Sequence, residues 1–219
     1  QKAGWELDLG DFDGLGSGPA RALVGDEAQF ARAGSYDDFD FAVLTIATDH
    51  QPGHQIAEHI AHTADVDPPS LFLPTYAAGS TAGSVSMAAR AAELAVFRLS
   101  ELGYPPTEIN TVTGRAPVAP VSHDESVAMA RTNDALAYGG EVYLQVNEEA
   151  TVFEEVPSTA REEYGTPFEQ IFEDANWDFY EVPASVFAPA KVTIDVVDGD
   201  THIVGETDEE LLAESFGLR

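Results

Sequence analysis

Residues 70–102 read SLFLPTYAAGSTAGSVSMAARAAELAVFRLSEL. SLFLPTY (70–76) is the short apolar run of a buried strand, and GSTAGS (79–84) is a loop of glycines and hydroxyls. The residues after it are small and apolar at almost every position, which predicts a helix from about Ser84 to Leu102, buried rather than amphipathic. Gly103 with Pro105 and Pro106 stops that helix. A strand, a loop and a helix in this order are the repeating unit of an α/β protein.

Outward from this unit the same alternation continues. FDFAVLTIA (39–47) reads as a strand, and Pro52 and Gly53 turn the chain into a helix over QIAEHIAHTA (55–64), ended by Pro68 and Pro69. TEINTVTG (107–114) is a third strand. Ser122 or Asp124 can cap a helix running to Tyr138, closed by Gly139 and Gly140 before the strand EVYLQV (141–146). A loop, PSTAREEYGTP (157–167), leads to a helix or turn over FEQIFEDANWDFY (168–180). KVTIDVV (191–197) and THIVGE (201–206) are strands, and DEELLAESFG (208–217) is a terminal helix. The fold class is α/β, mixed α+β, with a domain boundary expected near residues 70–80. QKAGWELDLG (1–10) has neither a helix cap nor the composition of a flexible tail, so the chain reads as starting inside a domain.

Composition narrows the partners. The chain of 219 residues carries 10 Lys and Arg against 39 Asp and Glu, a formal charge of −29, with 44% hydrophobic residues. That hydrophobic share supplies a core. The charge opposes binding to nucleic acid or to an anionic membrane surface. The acids are scattered (Asp37, Asp38, Glu58, Asp65, Glu101, Glu141, Glu162, Asp174, Glu209), which is the surface of a cytoplasmic protein adapted to multimolar salt. With no cysteine, thiolate nucleophiles and cysteine zinc sites are excluded. No apolar run reaches the ~20 residues of a membrane span, and no signal peptide is seen.

Between Leu71 and Phe97 the only charged residues are Arg90 and Glu93. Three positions apart, they emerge from one helix face within reach of each other. A surface ion pair would want polar neighbours, and Met87, Leu94 and Phe97 are not polar. The pair is therefore a candidate site, since isolated charges in apolar surroundings concentrate where chemistry is done. The loop Gly79–Ser84, with Ser80, Thr81, Gly83 and Ser84, either holds an anion such as phosphate at a helix N-terminus or only connects strand to helix. It matches neither the Walker A nor the dinucleotide fingerprint. LGSGPARAL (15–23) poses the same alternative at Gly16, Ser17 and Gly18, where Pro19 can simply start a helix.

Arg115, in a proline-rich loop, and the cluster Arg131-Thr132-Asn133-Asp134 offer forked donors for a carboxylate, a phosphate or an amide-bearing heterocycle. They can equally be a buried network fixing that loop to the helix. His50, His54, His59 and His62 crowd thirteen residues, but HQIAEH is neither HExxH nor HxxEH. A solvated helix accounts for them, with a histidine metalloenzyme as the competing class. No serine stands in a GxSxG elbow.

Taken together, QKAGW, GSGPARAL, GSVSMAARAAE, GRAPVAPV, ARTNDALAYGG, YGTPFEQIF, FAPAKV and ESFG resemble the methenyltetrahydromethanopterin cyclohydrolase family, in order and over essentially the whole chain. The resemblance implies a member of haloarchaeal type lacking roughly its N-terminal third. It implies two α/β domains around a central cleft, and a cytoplasmic archaeal enzyme of one-carbon metabolism, usually a homotrimer, without metal or nucleotide cofactor. The reaction implied is reversible hydrolysis of a cyclic methenyl-tetrahydropterin cation, methanopterin or a folate analogue, to the formyl-tetrahydropterin. The family's catalytic arginine and glutamate fall on Arg90 and Glu93. Gly16, Ser17, Gly18, Ser80, Thr81, Gly83, Ser84 and Arg115 would then position the pterin or an anionic tail. A noncatalytic anion- or pterin-binding protein is the alternative.

Overall fold

The computed structural model describes residues 4–178 and 181–218. The chain divides into two compact units, residues 1–78 and 79–219. Gln1, Lys2 and Ala3 of QKAGW, and Phe179 and Tyr180 at the end of FEQIFEDANWDFY, lie outside the described residues.

The first unit opens with a hairpin, β1 (Trp5–Leu9) and β2 (Phe12–Ser17), which the sequence reading does not anticipate. Alternating acids and an interior Gly14 and Gly16 disguise it. Those glycines are required by packing: an added Cβ would stand 2.8 Å from Ile46 at Gly14 and 2.8 Å from Leu44 at Gly16. Short helices α1 (Ala20–Val24) and α2 (Ala28–Ala33) follow.

The strand expected over 39–47 is two, β3 (Ala42–Val43) and β4 (Thr45–Ala47), and the one expected over 70–76 is also two, β5 (Leu71–Phe72) and β6 (Thr75–Tyr76). The two stretches run parallel, with Leu44 N donating to Phe72 O and Ile46 N to Pro74 O. Pro74 has no N–H to return, so the ladder breaks there. The result is a sheet of order β1-β2-β4-β6 and a separate β3-β5 pair. Helix α3 (His54–Thr63) covers the first unit's core with Ile56 and Ile60, which join Leu7, Phe12, Leu44 and Ile46.

In the second unit the single helix expected from 84 to 102 is instead α4 (Thr81–Ala88) and α5 (Ala91–Glu101). No glycine or proline marks the joint. Arg90 N donates to Met87 O, three residues back, and Leu94 N to Arg90 O, so one helix tightens to an end where the next begins. Strand β7 (Ile109–Arg115) follows, and then α6 (Glu125–Gly139). Asp124, not Ser122, caps α6, accepting from Ser126 N and Val127 N.

Strand β8 (Glu141–Val146), α7 (Phe168–Asp174), β9 (Lys191–Val196), β10 (Thr201–Gly205) and α8 (Glu209–Ser215) complete the unit. The sheet order is β10-β9-β8-β7, with β8 and β9 parallel and the outer pairings antiparallel. One face of this sheet is apolar, with Val142, Leu144, Val146, Val192, Ile194 and Val196 buried. Leu94, Ala95 and Leu99 of α5 share that core, together with Leu136 and Tyr138 of α6. The mixed α/β class expected from the sequence is the class observed.

Candidate active site

Gly114 sets where the charge pair stands. It is on the face of β7 turned to α5, and an added Cβ there would lie 2.6 Å from Ala92 N. The strand backbone therefore touches the first turn of α5, between Arg90 and Glu93 in sequence. Arg90 Nε donates to Glu93 Oε2 at 2.6 Å. The Arg90 side chain is 20% exposed and that of Glu93 41%, so the pair lies at the mouth of an apolar layer. This corrects the expectation of a pair enclosed in one buried helix. Arg90 is the residue before α5, and Glu93 is in its first turn, where the positive end of the helix dipole favours a carboxylate.

The fork of Arg90 is only partly used. Its Nη2 is buried and has no hydrogen-bond partner among the described residues. An unmatched buried donor costs on the order of 1–3 kcal/mol, so the arrangement is one that an incoming oxygen improves.

Ser80 caps α4, its side chain accepting from Gly83 N at 3.0 Å. That N–H of the GSTAGS loop is thus already engaged within the protein. Thr81 is exposed at the first helical position, while Gly83 and Ser84 are buried. In the first unit, Gly16 lies under Leu44. Gly18 has φ +151°, and an added Cβ there would meet Val43 O at 2.9 Å. Ser17 Oγ accepts from Arg21 Nη1 at 2.9 Å, and Arg21 grips Glu27 through Nε and Nη2 at 2.6 and 2.5 Å. That forked pair carries no motif in the sequence and was not singled out there.

Arg115 follows Gly114, so by strand alternation its side chain leaves the other face of the sheet. There it donates through Nη2 and Nε to Glu141 Oε1 at 2.8 and 3.2 Å. Within the second unit the structure thus brings Arg90 and Glu93 together and directs Arg115 away from α5.

Of the 131–134 cluster, Arg131 Nε donates to Ser215 O, and the Thr132 hydroxyl and Asn133 amide to Met129 O. Asp134 is buried and accepts from Phe168 N at 2.9 Å and Ser215 Oγ at 2.6 Å. Burial pushes its carboxyl up to about 6, against the pull of these hydrogen bonds and of Arg161. Arg161, lowered from its ordinary value by its own burial, donates to Val186 O and Tyr138 Oη and stacks over the Tyr138 and Phe168 rings. This cluster ties α6 to α7 and α8.

His54 pairs with Glu58 at 3.1 Å, both largely exposed. Among the described residues no group of three or more His, Asp or Glu is placed to hold a metal. Among them also, no helix is long and apolar enough to cross a membrane.

A mixed α/β unit with a carboxylate and guanidinium at a helix joint suits proton transfer at a polarised carbon. The family model described as Cyclohydrolase (MCH) matches residues 1–216, and the chain belongs to that family. It is 51% identical over 218 residues to a methenyltetrahydromethanopterin cyclohydrolase of Halobacterium salinarum, covering 100% of this chain and 70% of that protein. A protein of the same name from Methanothermobacter marburgensis is 39% identical over 226 residues, covering 100% of this chain and 71% of its own. Another from Methanoculleus marisnigri is 38% identical over 222 residues, covering 100% and 70%.

Proposed function

We propose that the chain hydrolyses a cyclic methenyl-tetrahydropterin cation to the formyl-tetrahydropterin, with Glu93 as the proton acceptor and Arg90 as its partner. The observation that carries the assignment is the divided fork of Arg90: Nε holds Glu93 Oε2, and the buried Nη2 has no partner among the described residues. Family membership supplies the reaction class.

The reacting carbon lies between two nitrogens and shares their positive charge. A carboxylate beside it stabilises that charge and takes a proton from an attacking water. The water oxygen bonds to the carbon, and Glu93 accepts the proton. As one carbon–nitrogen bond breaks, the acid returns that proton to the departing ring nitrogen. The hydroxyl proton is released as the formyl C=O forms, so cation and water give neutral product and one proton. Arg90 fixes the carboxylate through Nε and offers Nη2 to the oxygen that becomes the formyl oxygen.

No step of this scheme calls on a metal or a nucleotide. Ser80 and Thr81, at the start of α4 in the unit that carries the pair, position the pterin. Arg115 faces the other side of the sheet and takes an anionic group. An oligomeric enzyme of the cytoplasm accompanies this reading, supported by the resemblance and by the scattered acids.

The test is an absorbance assay at multimolar salt with the methenyl forms of tetrahydromethanopterin and tetrahydrofolate. Loss of the methenyl chromophore with one proton released per turnover is expected for one of them. Saturable binding of either without turnover would favour the noncatalytic pterin-binding reading.

A further inference from the structure

The outer face of the second unit's sheet sets two of the chain's ten Lys and Arg side chains, Arg115 and Lys191, on either side of Glu141, with Asp195 on the same face beyond Tyr143. Strand register places Arg115 opposite Glu141 and Glu141 opposite Lys191. The next outward row is Thr113, Tyr143 and Thr193, again paired in register. Neighbouring strands are about 4.8 Å apart and alternate rows roughly 7 Å, so the six side chains frame one patch. They line an open cavity of about 290 Å³, floored by Gly114 and Val142.

Within this patch Arg115 is matched to one oxygen of Glu141, a cross-strand pair worth ~0.2–1 kcal/mol. Tyr143 donates its hydroxyl to Asp195 and so forms a wall. Among the described residues the Lys191 ammonium and the Thr113 and Thr193 hydroxyls have no side-chain hydrogen bond or ion pair. A charge ladder for its own sake would need Arg115 and Glu141 only. Lys191 adds a second cation, without an ion pair among the described residues, beside two hydroxyl donors, which is the donor set for an oxyanion.

We propose that this cavity is an anion subsite, separate from the Arg90–Glu93 pair, that takes a phosphoryl or carboxylate group. Lys191, Thr113 and Thr193 donate to it, and the unshared N–H groups of Arg115 face it from the far edge. The net charge repels anions at long range. In molar salt that field decays within about 3 Å, and binding then rests on the short contacts this patch supplies.

Inorganic phosphate, titrated into the 219-residue chain in molar potassium chloride, reads the site through backbone amide chemical shifts. A saturable shift confined to residues 113–115, 141–143 and 191–193 is expected. Lys191→Gln should weaken the apparent affinity about tenfold or more, the loss of one charge-assisted hydrogen bond. Lys191→Arg should retain it and Thr193→Val should weaken it, and these two decide the matter if Lys191→Gln does not fold. Acetate as a second probe separates a carboxylate preference from a phosphoryl one. A shift linear in phosphate, or saturation unchanged in both Lys191→Gln and Thr193→Val, overturns the proposal. So does a shift of the same residues on concentrating the protein without phosphate, which would make this face an interface between copies.

Discussion

Arg90 Nε meets Glu93 Oε2 at 2.6 Å just after the joint between two helices, with the guanidinium on the residue before α5 and the carboxylate in its first turn. Both side chains are partly exposed, so their attraction adds only ~0.5–1 kcal/mol to stability. Activity and stability should therefore separate. Glu93→Gln is expected to lower turnover by about 10²–10⁴, the usual share of a general base. Urea unfolding should shift by no more than ~1 kcal/mol. Wild-type turnover in Glu93→Gln would remove Glu93 from the chemistry.

Gly114→Ala tests how the pair is held. The added Cβ would stand 2.6 Å from Ala92 N and 3.1 Å from Ala92 Cα, and backbone atoms cannot swing aside as a side-chain tip can. Strand β7 and helix α5 must separate, at a cost of about 1–3 kcal/mol. Because Ala92 lies between Arg90 and Glu93, the turnover of Gly114→Ala should fall along with its melting temperature. Full turnover in a destabilised variant would mean that the strand does not position the pair.

Ser80 gives the GSTAGS loop a measurable structural role. Its Oγ accepts from Gly83 N at 3.0 Å, and removing such a cap costs about 1 kcal/mol. Ser80→Ala should lose about that much in urea unfolding, and Ser80→Asp should keep most of it. Equal stability of Ser80→Ala and wild type would show that the loop geometry does not depend on the cap.

What the sequence reveals and conceals follows from how local each signal is. EVYLQV and KVTIDVV alternate inward and outward residues, and α6 is bracketed by Asp124 and two glycines, so these elements are legible directly. The joint at Ala89–Arg90 is not, because it is made by a three-residue backbone hydrogen bond in a run of good helix formers. The split of 39–47 depends on Pro74, which stands between β5 and β6. The proximity of Arg90 and Glu93 survives the break because the break falls before both, leaving them three positions apart at the start of α5. Lys191 shows nothing in its own neighbourhood. Its place beside Thr193 and across from Glu141 emerges only from the order β9-β8-β7, which is a property of the whole sheet.

Asp134 predicts a pH dependence of stability. Its ordinary value is 3.8, and burial raises it to about 6 in the folded chain. Between these values the folded protein keeps the proton that the unfolded chain gives up, so this group's contribution to stability falls as pH rises from about 4 to 6. At a linkage of ~1.4 kcal/mol per unit, the loss reaches at most about 3 kcal/mol and is constant above that window. Arg161 and Glu169 act on the same carboxyl in opposite directions, and the other carboxylates titrate over an overlapping range. Only the difference between parent and variant isolates Asp134. In Asp134→Asn the amide oxygen can still accept from Phe168 N, and the NH₂ can donate to Ser215 Oγ. Relative to the parent, this variant should gain stability steadily from pH 4 to 6 and hold the gain at pH 7.5, read by urea unfolding at fixed molar salt. Parallel curves for the two proteins would show that Asp134 is ionised at its ordinary value and that the surrounding hydrogen bonds offset its burial.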